Sequence, residues 1–222
     1  MPGTLNVRQD RLLRADLVHD RPHDPTEPTD EALVARFQRG ERSAIVLLVR
    51  RYQRPLYNFA MRQIRSGPAA EDVVQETFRR VVQGAQGFER TAPFAAWLYK
   101  IARNLCVDVL RNRVSRSHQS LDDSGPASGS TILSERTADP SADVERTVVS
   151  GEIRIRALAA IARLPDEQRE VFLLREVCDL RFAEIAEVVN ASENTVKSRM
   201  RYALERLQAA LRDFEEYARE LG

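Results

Sequence analysis

The sequence predicts an all-α protein: two small helical domains joined by a flexible acidic, Ser-rich linker, the second domain containing a helix-turn-helix. Three observations predict it. Apolar residues recur at helical spacing from Thr29 to Arg113 and again over 151–214, each stretch punctuated by capping residues. No segment shows the two-residue alternation of a half-buried strand. Between the two stretches, residues 114–150 hold nine serines, two prolines and two glycines with almost no periodic apolar residue. A gap of that length exceeds an ordinary connection within a domain, so the boundary belongs there. The expected organisation is a mobile arm over 1–29, a first domain over 30–113, a linker over 114–150, a second domain over 151–214 and a tail over 215–222.

The elements follow in order. Thr29 or Asp30 caps a helix carrying Leu33, Val34 and Phe37, which Gly40 stops. A second runs from Ser43 to about Arg65, with Pro55 expected to kink or break it. Ser66-Gly67-Pro68 starts a third that ends near Gly84, and Thr91 with Pro93 opens a fourth from Phe94 to about Asn112. Beyond the linker, Ile153 to Leu164 form one helix, and Pro165 at the first helical position opens another that reaches Val177. A short helix with Phe182, Ile185, Ala186 and Val189 ends at Asn190. Ser192 then caps a long helix from Glu193 to beyond Phe214.

Composition narrows the function. With 43% apolar and 30% charged residues, the chain falls in the globular range. Its longest apolar runs, Ala44 to Val49 among them, are far short of the roughly 20 residues that span a bilayer. No signal-peptide pattern is visible at the N-terminus, and Cys106 and Cys178 are too few for a disulfide framework. A reduced, cytoplasmic protein is expected. His19 and His23 have helical metal-ligand spacing, but Pro22 lies between them and no third ligand is near, so they read as solvated. No metal and no cofactor is expected. The net charge of +1 conceals an uneven distribution: Lys+Arg against Asp+Glu is 19 to 13 over 1–113, 3 to 6 over 114–150 and 12 to 14 over 151–222. Such asymmetry points to modules with separate partners.

Three helix faces carry the functional reading. On the third helix, Ala70, Val74, Phe78 and Val81 share a core face, while Asp72, Gln75, Glu76, Arg79 and Gln83 share a polar one. On the fourth, Leu98, Ile101, Leu105 and Val109 form a core stripe. Trp97, Lys100, Asn104, Asp108 and Arg111 form a second stripe about a quarter turn away. An aromatic among cationic and amide groups is the composition expected where unstacked bases bind; the alternative is a boundary tryptophan packed half into the core. On the last helix, Val196, Met200, Ala203 and Leu207 face inward, continued by Leu211 and Phe214. Asn194, Lys197, Ser198 and Arg201 face outward, as on a recognition helix or on any solvated surface.

These residues resemble a family. Ala70-Glu71-Asp72-Val73-Val74-Gln75-Glu76-Thr77-Phe78 is similar to the core-polymerase-binding motif of bacterial sigma factors. Phe94-Ala95-Ala96-Trp97-Leu98-Tyr99-Lys100-Ile101-Ala102-Arg103-Asn104, with Asp108 and Arg111, resembles their minus-ten promoter-reading helix. Leu164-Pro165, Arg169-Glu170-Val171-Phe172, Glu184-Ile185-Ala186 and Thr195-Val196-Lys197-Ser198-Arg199 resemble their minus-thirty-five helix-turn-helix. With no further domain in view, the resemblance is to the two-domain extracytoplasmic-function group of the sigma-70 family.

The resemblance implies a non-enzymatic factor that lends promoter specificity to RNA polymerase. Asp72, Gln75, Glu76, Phe78 and Arg79 would dock on core polymerase, Phe78 by holding its helix from the core side. Phe94, Trp97, Lys100, Arg103, Asn104, Asp108 and Arg111, with the loop from Phe88, would meet the melted non-template strand at the minus-ten element. Asn194, Thr195, Lys197, Ser198, Arg199 and Arg201 would meet duplex DNA at the minus-thirty-five element, whereas Tyr202 and Leu204 stand where relatives often carry Arg. The linker acids Asp122, Asp123 and Glu135 would mimic nucleic acid inside a polymerase channel, and an anti-sigma protein is an expected partner. The rival reading is a helix-turn-helix regulator of duplex DNA that ignores polymerase. It accounts for 151–214 and leaves the motifs over 68–111 without a role.

Overall fold

A computed structural model of the protein describes residues 27–89, 93–119 and 155–220; His19, His23, Asp122, Asp123 and Glu135 lie outside them. Every regular element among the described residues is helical. In chain order these are α1 (Asp30–Gln38), α2 (Arg42–Ile64), α3 (Gly67–Gly84), a 3-10 turn (Ala85–Gly87), α4 (Phe94–Gln119), α5 (155–163), α6 (Asp166–Glu176), α7 (Phe182–Val189) and α8 (Glu193–Glu220).

Local chemistry sets most ends. The Thr29 hydroxyl accepts from the Ala32 amide at 3.2 Å, and Gly40 takes φ +95°, which a side chain would resist. The Ser192 hydroxyl accepts from the Thr195 amide at 3.1 Å to start α8. Arg65 and Asn190 close α2 and α7 in the left-handed conformation. At the start of α4 the cap comes from far away in sequence: a Glu31 carboxylate oxygen accepts from the Phe94 amide at 3.1 Å.

The structure departs from expectation at four places. Pro55 does not break α2, which is continuous from Arg42 to Ile64. Buried Ala44 and Leu48 before it, and Leu56, Phe59, Ala60 and Ile64 after it, lie on one face. At roughly 1.5–3 kcal/mol for each large apolar side chain, that face outweighs the ~3 kcal/mol cost of an interior proline. Pro165 caps α6 from outside, with ψ 145°, and Asp166 rather than Pro165 is the first helical residue. A 3-10 turn, not foreseen, links Gly84 to Phe88; Gln38 pins it by donating to the carbonyls of Ala85 (2.8 Å) and Phe88 (3.1 Å). α4 runs on to Gln119, past the expected end near Asn112, whereas α8 reaches Glu220, beyond Phe214 as expected.

α1 to α4 form one lobe. α2 packs on α1, α3 and α4, and Tyr52, Phe59, Phe88, Phe94, Trp97 and Tyr99 interlock edge-on or tilted in its core. α5 to α8 supply the second lobe, in which α6 packs on both helices of the α7–α8 pair. The lobes also meet each other. α4 packs along α7 and α2 touches α6, so the buried residues of both lobes form one continuous cluster.

Candidate nucleic-acid interface

Two polar faces emerge, one on each lobe. On α4, Lys100, Asn104, Asp108 and Arg111 are all exposed and follow one another at three- and four-residue steps. The amphipathic reading of this helix therefore holds along most of its length. Its N-terminal end is different. Phe94 is fully buried between Tyr52 (ring centroids 5.6 Å), Phe88 (6.1 Å) and Trp97 (5.9 Å), so it presents no surface to a base. Its place as the first residue of the helix, capped by Glu31, turns the ring inward.

Trp97 is half-buried. Its ring lies 4.9 Å from that of Phe88, and a β-carbon added at Gly84 would approach its Cζ2 to 3.1 Å. The tryptophan thus packs partly into the lobe while keeping an exposed portion beside Lys100. Arg103 departs furthest from the expected strand-reading role. Its guanidinium is engaged across the lobe boundary by Glu170, with Nε to Oε1 at 2.8 Å and Nη2 to Oε2 at 3.4 Å.

On α3, Asp72, Gln75 and Arg79 are exposed, and Phe78 is buried, as its core-side position requires. Glu76 gathers two cations: Arg79 donates at 2.6 Å through Nε and Nη2, and Arg80 donates at 2.8 Å. The Arg79 hydrogen bonds, then those of Arg80, hold the Glu76 carboxyl down at about 2, so it is anionic at any ordinary pH. Exposed Val82 continues this face toward Gly84. Thr77 sits buried beneath it and donates to the Val73 carbonyl at 2.6 Å, a polar core position that the apolar pattern gave no reason to expect.

On α8, Val196, Met200, Ala203 and Leu207 are buried, and Asn194, Thr195, Lys197, Ser198 and Arg201 are exposed. Leu211 is half-buried; the side chain of Phe214 lies outside the described ones. Lys197 pairs with Glu193 at 2.6 Å and Arg201 with Glu205 at 3.7 Å, each one turn away. Exposed pairs of this kind are worth about 0–1 kcal/mol, so both cations stay available to an incoming phosphate. The Arg201 guanidinium also lies 4.6 Å from the exposed Tyr202 ring. Arg199 is more constrained: half-buried, it pairs with Glu167 at 2.8 Å and ties α8 back to α6. The Ser198 hydroxyl donates to the Asn194 carbonyl at 2.9 Å, and the Thr195 hydroxyl shares the cap with Ser192 at 2.8 Å.

Comparison with known proteins assigns a family to each lobe. Residues 48–116 match the model of sigma-70 region 2, and residues 154–207 match that of sigma-70 region 4. The ECF RNA polymerase sigma factor SigW of Bacillus subtilis is 31% identical over 180 residues, covering 81% of this chain and 95% of its own. The chain belongs to the extracytoplasmic-function group of the sigma-70 family. It is an alternative sigma factor, one that directs RNA polymerase to promoters.

The ECF RNA polymerase sigma-E factor of Escherichia coli K12 is 32% identical over 176 residues, covering 78% of this sigma factor and 88% of its own length. Among solved structures, sigma factor RpoE from Bartonella quintana, crystallised with the anti-sigma factor NepR, has a TM-score of 0.58 at 23% identity. It covers 75% of this chain and 95% of its own. CnrH in complex with the cytosolic domain of CnrY gives the same TM-score at 22% identity, over 84% and 99%. These two share the fold of this sigma factor. No described helix is long and apolar enough to cross a membrane.

Proposed function

We propose that the polar face of α3 docks this sigma factor on core RNA polymerase, through Asp72, Gln75, Glu76 and Arg79, with Phe78 fixing the helix from below. The exposed row Lys100, Asn104, Asp108 and Arg111, with the open edge of Trp97, receives the melted non-template strand of the minus-ten element. Stacking and pocketing of single-stranded bases are worth about 1–3 kcal/mol each, so a few captured bases offset part of the cost of opening the duplex. Phe94 acts from inside by backing Trp97. Arg103 becomes a strand contact only when its bond to Glu170 is released.

The second lobe reads the duplex of the minus-thirty-five element. Lys197 serves as a phosphate contact, Asn194, Ser198 and Arg201 face base edges, and Thr195 holds the helix start. Arg199 serves first to seat α8 on α6. The factor supplies binding and no catalysis of its own, works in the cytoplasm, and is held in check by an anti-sigma protein, as RpoE of Bartonella quintana is crystallised with one. The module boundaries near residues 30, 113, 151 and 214 belong to the same reading.

The observation that carries it is the occurrence, in one chain, of region 2 followed by region 4, each with its polar helix face exposed. Reconstitution with core polymerase and genome-wide mapping of transcription starts tests it. Starts that cluster downstream of two spaced elements are expected; a factor that binds duplex DNA yet never co-elutes with polymerase would overturn the reading.

A further inference from the structure

Three neighbours hold Trp97, and two of them hang from one helix. The rings of Phe88 and Phe94 stand 4.9 and 5.9 Å from the indole, and the bare backbone of Gly84 lies against its edge. Phe88 and Phe94 are also the residues whose backbone α1 grips. The Gln38 carboxamide donates to the carbonyls of Ala85 (2.8 Å) and Phe88 (3.1 Å), which occupies both of its hydrogens. A Glu31 carboxylate oxygen accepts from the Phe94 amide at 3.1 Å, at the end of α4 where a negative charge also suits the helix dipole. Glu31 and Gln38 are half-buried and share one face of α1, about 10 Å apart at 1.5 Å per residue.

α1 is itself firmly seated. Leu33 and Val34 are buried, Asp30 accepts from both Arg51 and Tyr52 of α2, and Arg36 pairs with Glu41 at the corner into α2. Tyr52 in turn meets the Phe94 ring edge-on, with centroids 5.6 Å apart. A helix anchored in this way offers Glu31 and Gln38 as fixed points, and fixed points are what a precisely placed contact group needs behind it.

We propose that Glu31 and Gln38 are positioning residues for strand opening: from α1 they hold Phe94 and Phe88, and through those two rings they set the pose in which Trp97 meets the melted strand. They touch no base themselves. An indole free to turn must be ordered each time a base stacks on it, which weakens every such contact. Loosening either brace therefore impairs opening and leaves duplex binding by the second lobe alone. The part played in opening rests on the function proposed above; the pinning of the indole does not.

Three variants of the full chain test it: Glu31→Ala, which removes the cap; Glu31→Gln, whose amide oxygen still accepts; and Gln38→Glu, which keeps the shape and removes both donors. Trp97 is the sole tryptophan, so its emission and its quenching by acrylamide read the pose in the free protein. Emission at longer wavelength and faster quenching are expected in Glu31→Ala and Gln38→Glu, with values near those of the natural protein in Glu31→Gln. In holoenzyme reconstituted with core polymerase, on a promoter found by start-site mapping, polymerase co-elution and closed-complex formation should be unchanged in all three. The rate at which minus-ten thymines become reactive to permanganate should fall about fivefold to tenfold in Glu31→Ala and Gln38→Glu, the size of one lost cap, and recover in Glu31→Gln.

Unchanged emission and quenching in both Glu31→Ala and Gln38→Glu would overturn the brace. Shifted emission with opening at the natural rate would overturn its part in opening. So would loss of polymerase co-elution in Gln38→Glu, the mark of a merely structural role. A natural protein that opens no promoter would instead strike at the functional reading, and the emission of the free proteins would still decide the brace.

Discussion

Trp97 shows how one side chain can serve both core and surface. Its indole is wedged against Phe88 and against the bare backbone of Gly84, where a β-carbon would stand 3.1 Å from Cζ2. Gly84→Ala should therefore displace the ring, costing about 1–3 kcal/mol as an overpacked site does. Because Trp97 is the sole tryptophan, its emission reports the shift directly, and an unchanged spectrum with unchanged stability would refute the contact. Helical periodicity placed Trp97 on the polar stripe and left its two readings open; only the fold brings Gly84 and Phe88 beside it. Cys106 offers a second residue-scale test. Its folded value near 12 lies above the ordinary thiol value of 9.0, so the folded state holds the proton more tightly than the unfolded chain does. That contribution is complete below about pH 9 and is lost as pH rises toward 12. Urea midpoints should fall across this window less steeply in Cys106→Ala than in the natural protein.

At the scale of the element, local signals were the most legible part of the chain. Thr29, Gly40, Asn190 and Ser192 each mark a helix end where the structure has one. Asn190 sits at φ 54°, a conformation that a β-branched side chain strongly resists. Asn190→Val should cost about 1–2 kcal/mol in chemical denaturation, and Asn190→Gly should be close to neutral. A comparable loss in both variants would place the cost elsewhere. Pro55 marks the limit of such signals, since a purely local rule cannot see the buried face on either side of it. α4 shows the same limit differently. Periodicity identified one inward stripe and one outward stripe, but a third side carrying Tyr99, Ala102 and Cys106 is buried as well. Two partners cover α4, its own lobe and the other one, and a one-dimensional pattern gives no notice of the second.

At the scale of the whole molecule, the two polar faces should be separable by mutation. Lys197→Ala with Arg201→Ala should weaken binding to promoter duplex and, through the lost Lys197 phosphate contact, reduce the salt slope of log K by about 1, leaving polymerase co-elution intact. Asp72→Ala with Glu76→Ala should do the reverse. Equal loss of both bindings in either variant, at normal helical content, would argue against two independent surfaces. The order of the modules was legible because each motif lies on one helix or on helices that follow one another directly in the chain. The union of the lobes was not, since it depends on pairs such as Arg103 and Glu170, 67 positions apart, whose charges carry no mark of each other in the sequence.

The carboxylate of Glu31 has a wider implication. It caps the backbone of α4 at Phe94, and Gln38 fastens the turn on which Phe88 backs the indole. Both lie upstream of residue 48, where similarity to region 2 begins. A fragment trimmed to that similarity would keep every side chain proposed to meet the minus-ten element and lose the braces that aim them. The inherited motif and the smallest working unit therefore have different left-hand edges.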